Sequence, residues 1–220
     1  MPAKKAASKK RAVKKSSSKK SSAKKSTSPT VAAKKPPSPK LVLMPDVKVG
    51  SPFLRIGGPA ESFPLLRAET LRLSGHDYLA VLADMWRPRG LKTNKVGTAF
   101  FSRHKCGDAF DCRQDVNYFV VQSEPSGGHQ YFRIFLKTVA QTPVLTSPLV
   151  INTTVKDYRG MTFKGWVLDF TALAGQYNWQ RIPAHKGWST KGPNYNKMEW
   201  WHYQQTQGLS FDQVMKILYG

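Results

Sequence analysis

The sequence predicts an α+β domain behind an unstructured basic tail. Three observations lead there. The composition changes abruptly near residue 45. Several short stretches downstream alternate apolar and polar residues or are rich in β-branched residues. Two other short stretches carry helix caps and a helical apolar stripe.

The tail comes first. Residues 1–40 hold 13 Lys and one Arg and no acidic residue, within a chain of 220 residues and net charge +22. Up to Lys40 it has no aromatic residue, and Met1, Val13 and Val31 are its only larger apolar residues. Such a segment cannot bury enough surface to offset the entropy of ordering. Lys doublets recur every five residues from Lys4-Lys5 to Lys24-Lys25, a period that fits neither a helix face nor a strand face. The stretch SPTVAAKKPPSPK favours extended backbone and reads as a linker. We assign residues 1–45 to tail and linker and residues 46–220 to the folded domain, which holds all six Trp and all eleven Phe.

Within the domain, LAVLADMW (79–86) reads as a strand stopped at Arg87 by Pro88. QYFRIFLK (130–137) alternates Phe132, Ile134 and Leu136 with polar residues, a half-buried strand entered from the turn signal SGGH. VLTSPLVINTTV (144–155) is β-branched but interrupted by Pro148, so it belongs at a sheet edge or a bulge. DFTALAGQY (169–177) suits a short helix capped by Asp169, with Leu173 and Ala174 inward. SFDQVMKILYG ends the chain as a helix with a capping box, Ser210 to Gln213, and a buried stripe of Val214, Ile217 and Leu218.

Other classes are set aside. Cys106 and Cys112 are too few for a disulfide scaffold. No apolar run approaches a membrane span, and no apolar segment follows the basic N-terminus as a secretory signal requires. The expectation is a protein that stays in the cytoplasm until lysis, or is carried in a particle.

The chemistry sits in SRHKCGDAFD (102–111) and MEWWHY (198–203). His104 and Asp111 are seven apart. On a straight strand they would be about 23 Å apart and on a straight helix about 10 Å along the axis. They can share an ion only if the chain reverses between them, and Gly107 beside Asp108 is where reversal is easy. Glu199 and His202 converge in any tight turn. His104, Asp111 and His202 as ligands leave one position open, the pattern of a catalytic rather than a structural zinc. Glu199 is then free to act as a base. A rival set, Cys106, Cys112, His104 and His202, would close a structural site but leaves Asp111 and Glu199 without a role. Ser102 is placed for a supporting hydrogen bond. Of Trp200 and Trp201, one is expected inward and one lining the cleft. His76, His129 and His185 show no partner in sequence.

Ser102-x-His104-x-x-Gly107-x-Ala109-x-Asp111, followed by Glu199-x-x-His202, resembles the zinc D-alanyl-D-alanine peptidases. These include dipeptidases, carboxypeptidases and phage L-alanyl-D-glutamate endopeptidases that cut peptidoglycan stem peptides. AGQYNWQRI (174–182) resembles the segment the family carries before its Glu-x-x-His motif, so the resemblance runs from about Leu79 to Tyr203. It implies a hedgehog/DD-peptidase-like fold, a small antiparallel sheet with flanking helices around one zinc ion. It further implies ligands His104, Asp111 and His202, a general base at Glu199, and a substrate- or oxyanion-binding arginine at Arg87. Where the family shows Ser-Gly before the aromatic residue and Gln after the arginine, this chain has Asp84-Met85-Trp86-Arg87-Pro88-Arg89, and Arg89 competes for the role. The function expected is zinc-dependent hydrolysis of a stem-peptide bond beside a D-amino acid, with the tail contacting a polyanion, either nucleic acid or an anionic envelope polymer. The alternative is a non-catalytic zinc-containing protein that binds polyanions.

Overall fold

The computed structural model describes residues 38–90, 101–114, 119–139, 146–153, 161–189 and 195–220. Residues 1–37, with the Lys doublets and most of the linker, lie outside the described residues.

The fold takes in residues that composition places with the linker. Strand β1 (Leu41–Leu43) pairs antiparallel with β2 (Phe53–Arg55). Leu41 and Met44 are buried, and the Ser38 hydroxyl donates to the Leu218 carbonyl at 2.8 Å. The boundary at 45/46 is therefore too late, because the apolar run Leu41–Met44 is hidden among Pro and Lys.

Helix α1 (Pro59–Ser74) follows. Pro59 occupies the first helical position, where its missing N–H costs nothing. The Glu61 carboxylate accepts from the backbone N–H of Gly57 (3.0 Å) and of Gly58. Gly75 in left-handed conformation closes the far end. The buried face is Phe63, Leu66, Thr70, Leu73 and Ser74. Thr70 and Ser74 are tolerated there because their hydroxyls donate to the carbonyls of Leu66 and Thr70.

Strand β3 (Leu82–Asp84) is the regular part of the predicted 79–86 segment, and β4 (Ala109–Cys112) pairs with it. Strands β5 (Phe119–Ser126) and β6 (His129–Lys137) form a hairpin whose two-residue turn, Gly127-Gly128, has positive φ at both positions. The expected alternation of β6 is broken by Phe135. That residue is also buried, against Val120 and Val167 on the other sheet face. Strand β7 (Thr146–Thr153) lies at a sheet edge against β8 (Met161–Asp169), and its register shifts between Thr146 and Leu149, around Pro148. An edge or a bulge was expected for that proline, and the strand shows an edge position with a register shift.

Helix α2 (Phe170–Gln176) is capped by Asp169, whose Oδ1 accepts from Ala172 N–H at 3.0 Å. Strands β9 (Gln180–Arg181) and β10 (His202–Gln204) complete the second group, and α3 (Phe211–Tyr219) carries the expected capping box. Val214 and Leu218 of α3 are buried, but Ile217 is 47% exposed. The predicted stripe is one residue narrower, with Val214 and Leu218 one turn apart on the buried line.

The result is mixed α and β, with sheets that are antiparallel throughout: a ribbon β1–β2, a sheet ordered β3-β4-β10-β9 and a sheet ordered β5-β6-β8-β7. The main core runs between α1, α2 and the inner sheet faces. At its centre Phe110 of β4 stacks on Tyr203 of β10 and meets Phe63 and Trp179 edge-on. This packing fixes β4 against β10, the two strands that carry the site. No helix among the described residues is long and apolar enough to cross a membrane.

Candidate metal centre

Reversal between His104 and Asp111 occurs where the sequence places it. Arg103–Cys106 form a single 3-10 turn, ended by Gly107 at φ 65. A side chain at Gly107 would be strained by that φ and blocked by neighbours: a Cβ would stand 2.5 Å from Leu41 Cδ2 and 3.0 Å from the Arg55 backbone nitrogen. Gly107 N–H donates to the His104 carbonyl at 3.2 Å, and its own carbonyl accepts from Arg55 N–H at 2.7 Å. Ser102 precedes the turn in extended conformation. Its carbonyl accepts from Lys105 N–H, and its hydroxyl makes no capping bond.

From that turn His104 reaches Asp111 of β4, and antiparallel register sets His202 of β10 directly opposite Asp111. Three donor atoms converge: His104 Nε2 to Asp111 Oδ1 3.1 Å, His104 Nε2 to His202 Nδ1 3.2 Å, and His202 Nδ1 to Asp111 Oδ1 2.9 Å. All three side chains are buried. Zinc bonds of about 2.0–2.2 Å at tetrahedral angles place donors about 3.3–3.6 Å apart. The observed triangle accepts such an ion if each donor shifts outward by a few tenths of an ångström. The donor set also suits it, two imidazoles and one carboxylate.

The surroundings hold the ligands in the right form. His104 Nδ1 lies 2.9 Å from the Met85 carbonyl, so Nδ1 carries the hydrogen and Nε2 presents its lone pair. His202 Nε2 is 3.4 Å from Gln204 Oε1, which leaves Nδ1 as the ligating atom. Burial alone would strip a proton from His104 and give one to Asp111. Their mutual attraction outweighs it, raising the His104 pKa above the usual imidazole value and holding Asp111 far below the carboxylate range. Asp111 thus favours positive charge in a buried pocket, either a proton on His104 or a metal ion that displaces that proton, so protons and a metal would compete for the site.

Glu199 begins the turn into β10, its carbonyl accepting from His202 N–H at 3.1 Å. Its φ of 55 is left-handed, uncommon for a residue with a side chain. The side chain is 19% exposed, and Oε1 lies 3.0 Å from His185 Nε2. Burial pushes its carboxyl pKa up, with Asp111 adding to the rise and His202 and His185 opposing it. His185, half exposed at the edge of the site, is the neighbour sequence reasoning misses. It is fourteen residues from Glu199, and no local pattern links them.

Arg87 follows β3, with its backbone N–H on the His104 carbonyl. Its guanidinium is ion-paired to Asp84 and lies 3.8 Å from Asp111 Oδ2. Arg89, the competitor, lies over the Tyr219 ring, 5.8 Å from its centroid. Cys106 and Cys112 are free, buried thiols in separate apolar clusters. Burial pushes Cys106 up to about 12. Among the described residues, the group able to share an ion is His104, Asp111 and His202, without sulfur. Trp200 and Trp201 are both buried and meet edge-on, so neither lines a cleft. The turn that carries them folds both into the core. No protein-family model, curated protein or solved structure matches this chain.

Proposed function

We propose that the protein is a zinc-dependent peptidase that hydrolyses a peptide bond in bacterial peptidoglycan stem peptides, beside a D-amino acid. One observation carries the reading: three buried donors within 3.2 Å of one another, next to a mostly buried carboxylate they do not use. A structural site has no need of that fourth group, and a hydrolytic one does. The motif resemblance supplies the substrate class.

Held by His104, Asp111 and His202, zinc would supply a Lewis acid that polarises the scissile carbonyl and makes water a better nucleophile at neutral pH. Glu199 takes the proton from the attacking water and delivers it to the leaving amine. Its raised proton affinity suits it to hold the proton between the two transfers. His185 Nε2 orients the Glu199 carboxylate. Arg87 presents positive charge at the edge of the site, where negative charge develops on the carbonyl oxygen. Asp84 fixes the guanidinium in advance, so little reorganisation is needed. Residues 1–40, with fourteen positive charges, contact a polyanion by charge alone.

The test is metal content together with turnover on muropeptides, for wild type and Glu199→Gln. The expected result is one ion per chain in both, new peptide ends only with wild type, and loss of those ends on chelation. One ion with no cleavage by wild type across a panel of stem peptides would replace this reading with a metal-containing polyanion-binding module.

A further inference from the structure

The donors of the metal centre stand on two separate packing units. Asp111 lies between Phe110 and Cys112, and His202 between Trp201 and Tyr203. All four flanking residues belong to the main core. His104 has a different footing. The buried thiol of its 3-10 turn, Cys106, belongs to a smaller cluster with Leu41, Phe53, Trp86, Val214 and Leu218. The triangle therefore holds its shape only if the smaller cluster keeps its place against the main core.

The smaller cluster meets the turn through Leu41 of β1. Leu41 is 2% exposed, and its Cδ2 lies over Gly107, 2.5 Å from the place a Cβ would take. Gly107 ends the turn, and its N–H donates to the His104 carbonyl at 3.2 Å. The Met85 carbonyl orients the His104 ring. The backbone that carries the ring closes on Gly107, which is seated against Leu41.

Residues 38–44 form a strap that is fixed along its length. Ser38 Oγ donates to the Leu218 carbonyl of α3 at 2.8 Å, and Leu41 N–H donates to the Ser38 carbonyl at 3.1 Å. Ile56 N–H donates to the Lys40 carbonyl at 2.9 Å, and Met44 N–H to the Pro52 carbonyl at 2.7 Å. The register of β1 on β2 sets Leu41 opposite Arg55, whose N–H donates to the Gly107 carbonyl at 2.7 Å. The strap thus reaches Gly107 twice, directly by the Leu41 side chain and through the backbone of Arg55. None of its residues is among the ligands.

We propose that Leu41 is a positioning residue of the metal centre. Residues 38–44 hold the His104 turn where it meets Asp111 and His202, and in return the strap is fastened more tightly when an ion is bound. This rests on the metal-centre reading and needs no turnover. A coordinating constellation has to be held within about 0.5 Å of its working geometry. Truncating Leu41 removes the contact that limits movement of the turn. Linkage makes the effect reciprocal, so what the strap adds to ion affinity the ion adds to strap stability.

The zinc affinity of the full chain is measured by competition with a chromophoric chelator, for wild type, Leu41→Ala, Leu41→Met and Val120→Ala. Val120 is buried in a third cluster with Phe135 and Val167, so its truncation costs stability away from the strap. Amide exchange across residues 38–56 is followed with and without zinc. The expected result is one zinc per wild-type chain and binding weakened about tenfold or more in Leu41→Ala. Affinity should stay near the wild-type value in Leu41→Met, which conserves volume, and be unchanged in Val120→Ala. Bound zinc should slow exchange across residues 38–56. If Leu41→Ala does not fold, Ser38→Ala replaces it, because it cuts only the tie to α3; weaker zinc binding supports the proposal and unchanged binding overturns it. Equal affinity in wild type and Leu41→Ala, an equal loss in Val120→Ala, or exchange indifferent to zinc overturns the proposal and leaves the metal-centre reading standing. No zinc bound by wild type overturns both.

Discussion

At the scale of single residues, Glu199 combines two costs: a left-handed backbone and a mostly buried carboxylate whose pKa that burial raises. A left-handed conformation costs a residue with a Cβ about 1–2 kcal/mol, and glycine avoids it. Glu199→Gly is therefore expected to be more stable than Glu199→Ala by about 1 kcal/mol in urea unfolding, with neither variant cleaving substrate. Asp108 behaves in another way. Burial raises its pKa to about 6 although Arg103 and Arg55 pull it down. Burial prevails because those guanidiniums stand off at 3.3 and 4.0 Å and Oδ1 has no partner. The folded protein keeps this proton between the unfolded value of 3.8 and about 6 while the unfolded chain loses it, so stability from this group falls as pH rises through that window. The stability difference between wild type and Asp108→Asn, followed by denaturant titration, should shrink in wild type's disfavour from pH 4 to pH 6. Legibility at this scale follows the range of each contact. His104, Asp111 and His202 were readable because their spacing around Gly107 and before Glu199-x-x-His202 resembles a known metal-binding pattern, with the reversal at Gly107 as the condition geometry adds. His185 was not, since its contact with Glu199 is made through a loop and leaves no trace in spacing.

Elements were readable where one face met solvent and the caps were local. Helices α2 and α3 show this through Asp169 and the Ser210–Gln213 pair. Helix α1 was hidden. Pro64 sits in its interior, Thr70 and Ser74 occupy its buried face, and Leu65 and Leu71 are exposed, so its apolar pattern contradicts its packing. Tertiary contact overrides propensity there. The 3-10 turn before β4 gives the firmest prediction for an element. Gly107→Ala combines a costly left-handed φ with a clash against the Leu41 side chain and a tight approach to the Arg55 backbone. It should cost about 2 kcal/mol or more and lower metal occupancy, read from urea unfolding and metal analysis of the same sample.

Across the whole molecule, the charge is concentrated at one end: residues 1–40 carry fourteen of the twenty-two net positive charges. The described contacts need nothing before Ser38. Removing residues 1–33 should leave the urea midpoint and the metal content unchanged. It should flatten the dependence of polyanion binding on salt, which scales with the number of phosphates neutralised. Binding isotherms on a nucleic acid between low and physiological salt measure it. Domain class and the composition break were legible because they average over many residues. The division of strands between separate sheets was not, because pairing partners such as β4 and β10 are about ninety residues apart.

That pairing has a consequence for how the protein comes into being. Two of the three donors are in place once residue 111 is made, but the third arrives with His202, opposite Asp111 in a strand made about ninety residues later. A ribosome carrying the first 190 residues holds a chain with neither the last ligand nor Glu199. The donor triangle therefore cannot close before β10 has folded back onto β4, and metal uptake follows the folding of that sheet rather than seeding it.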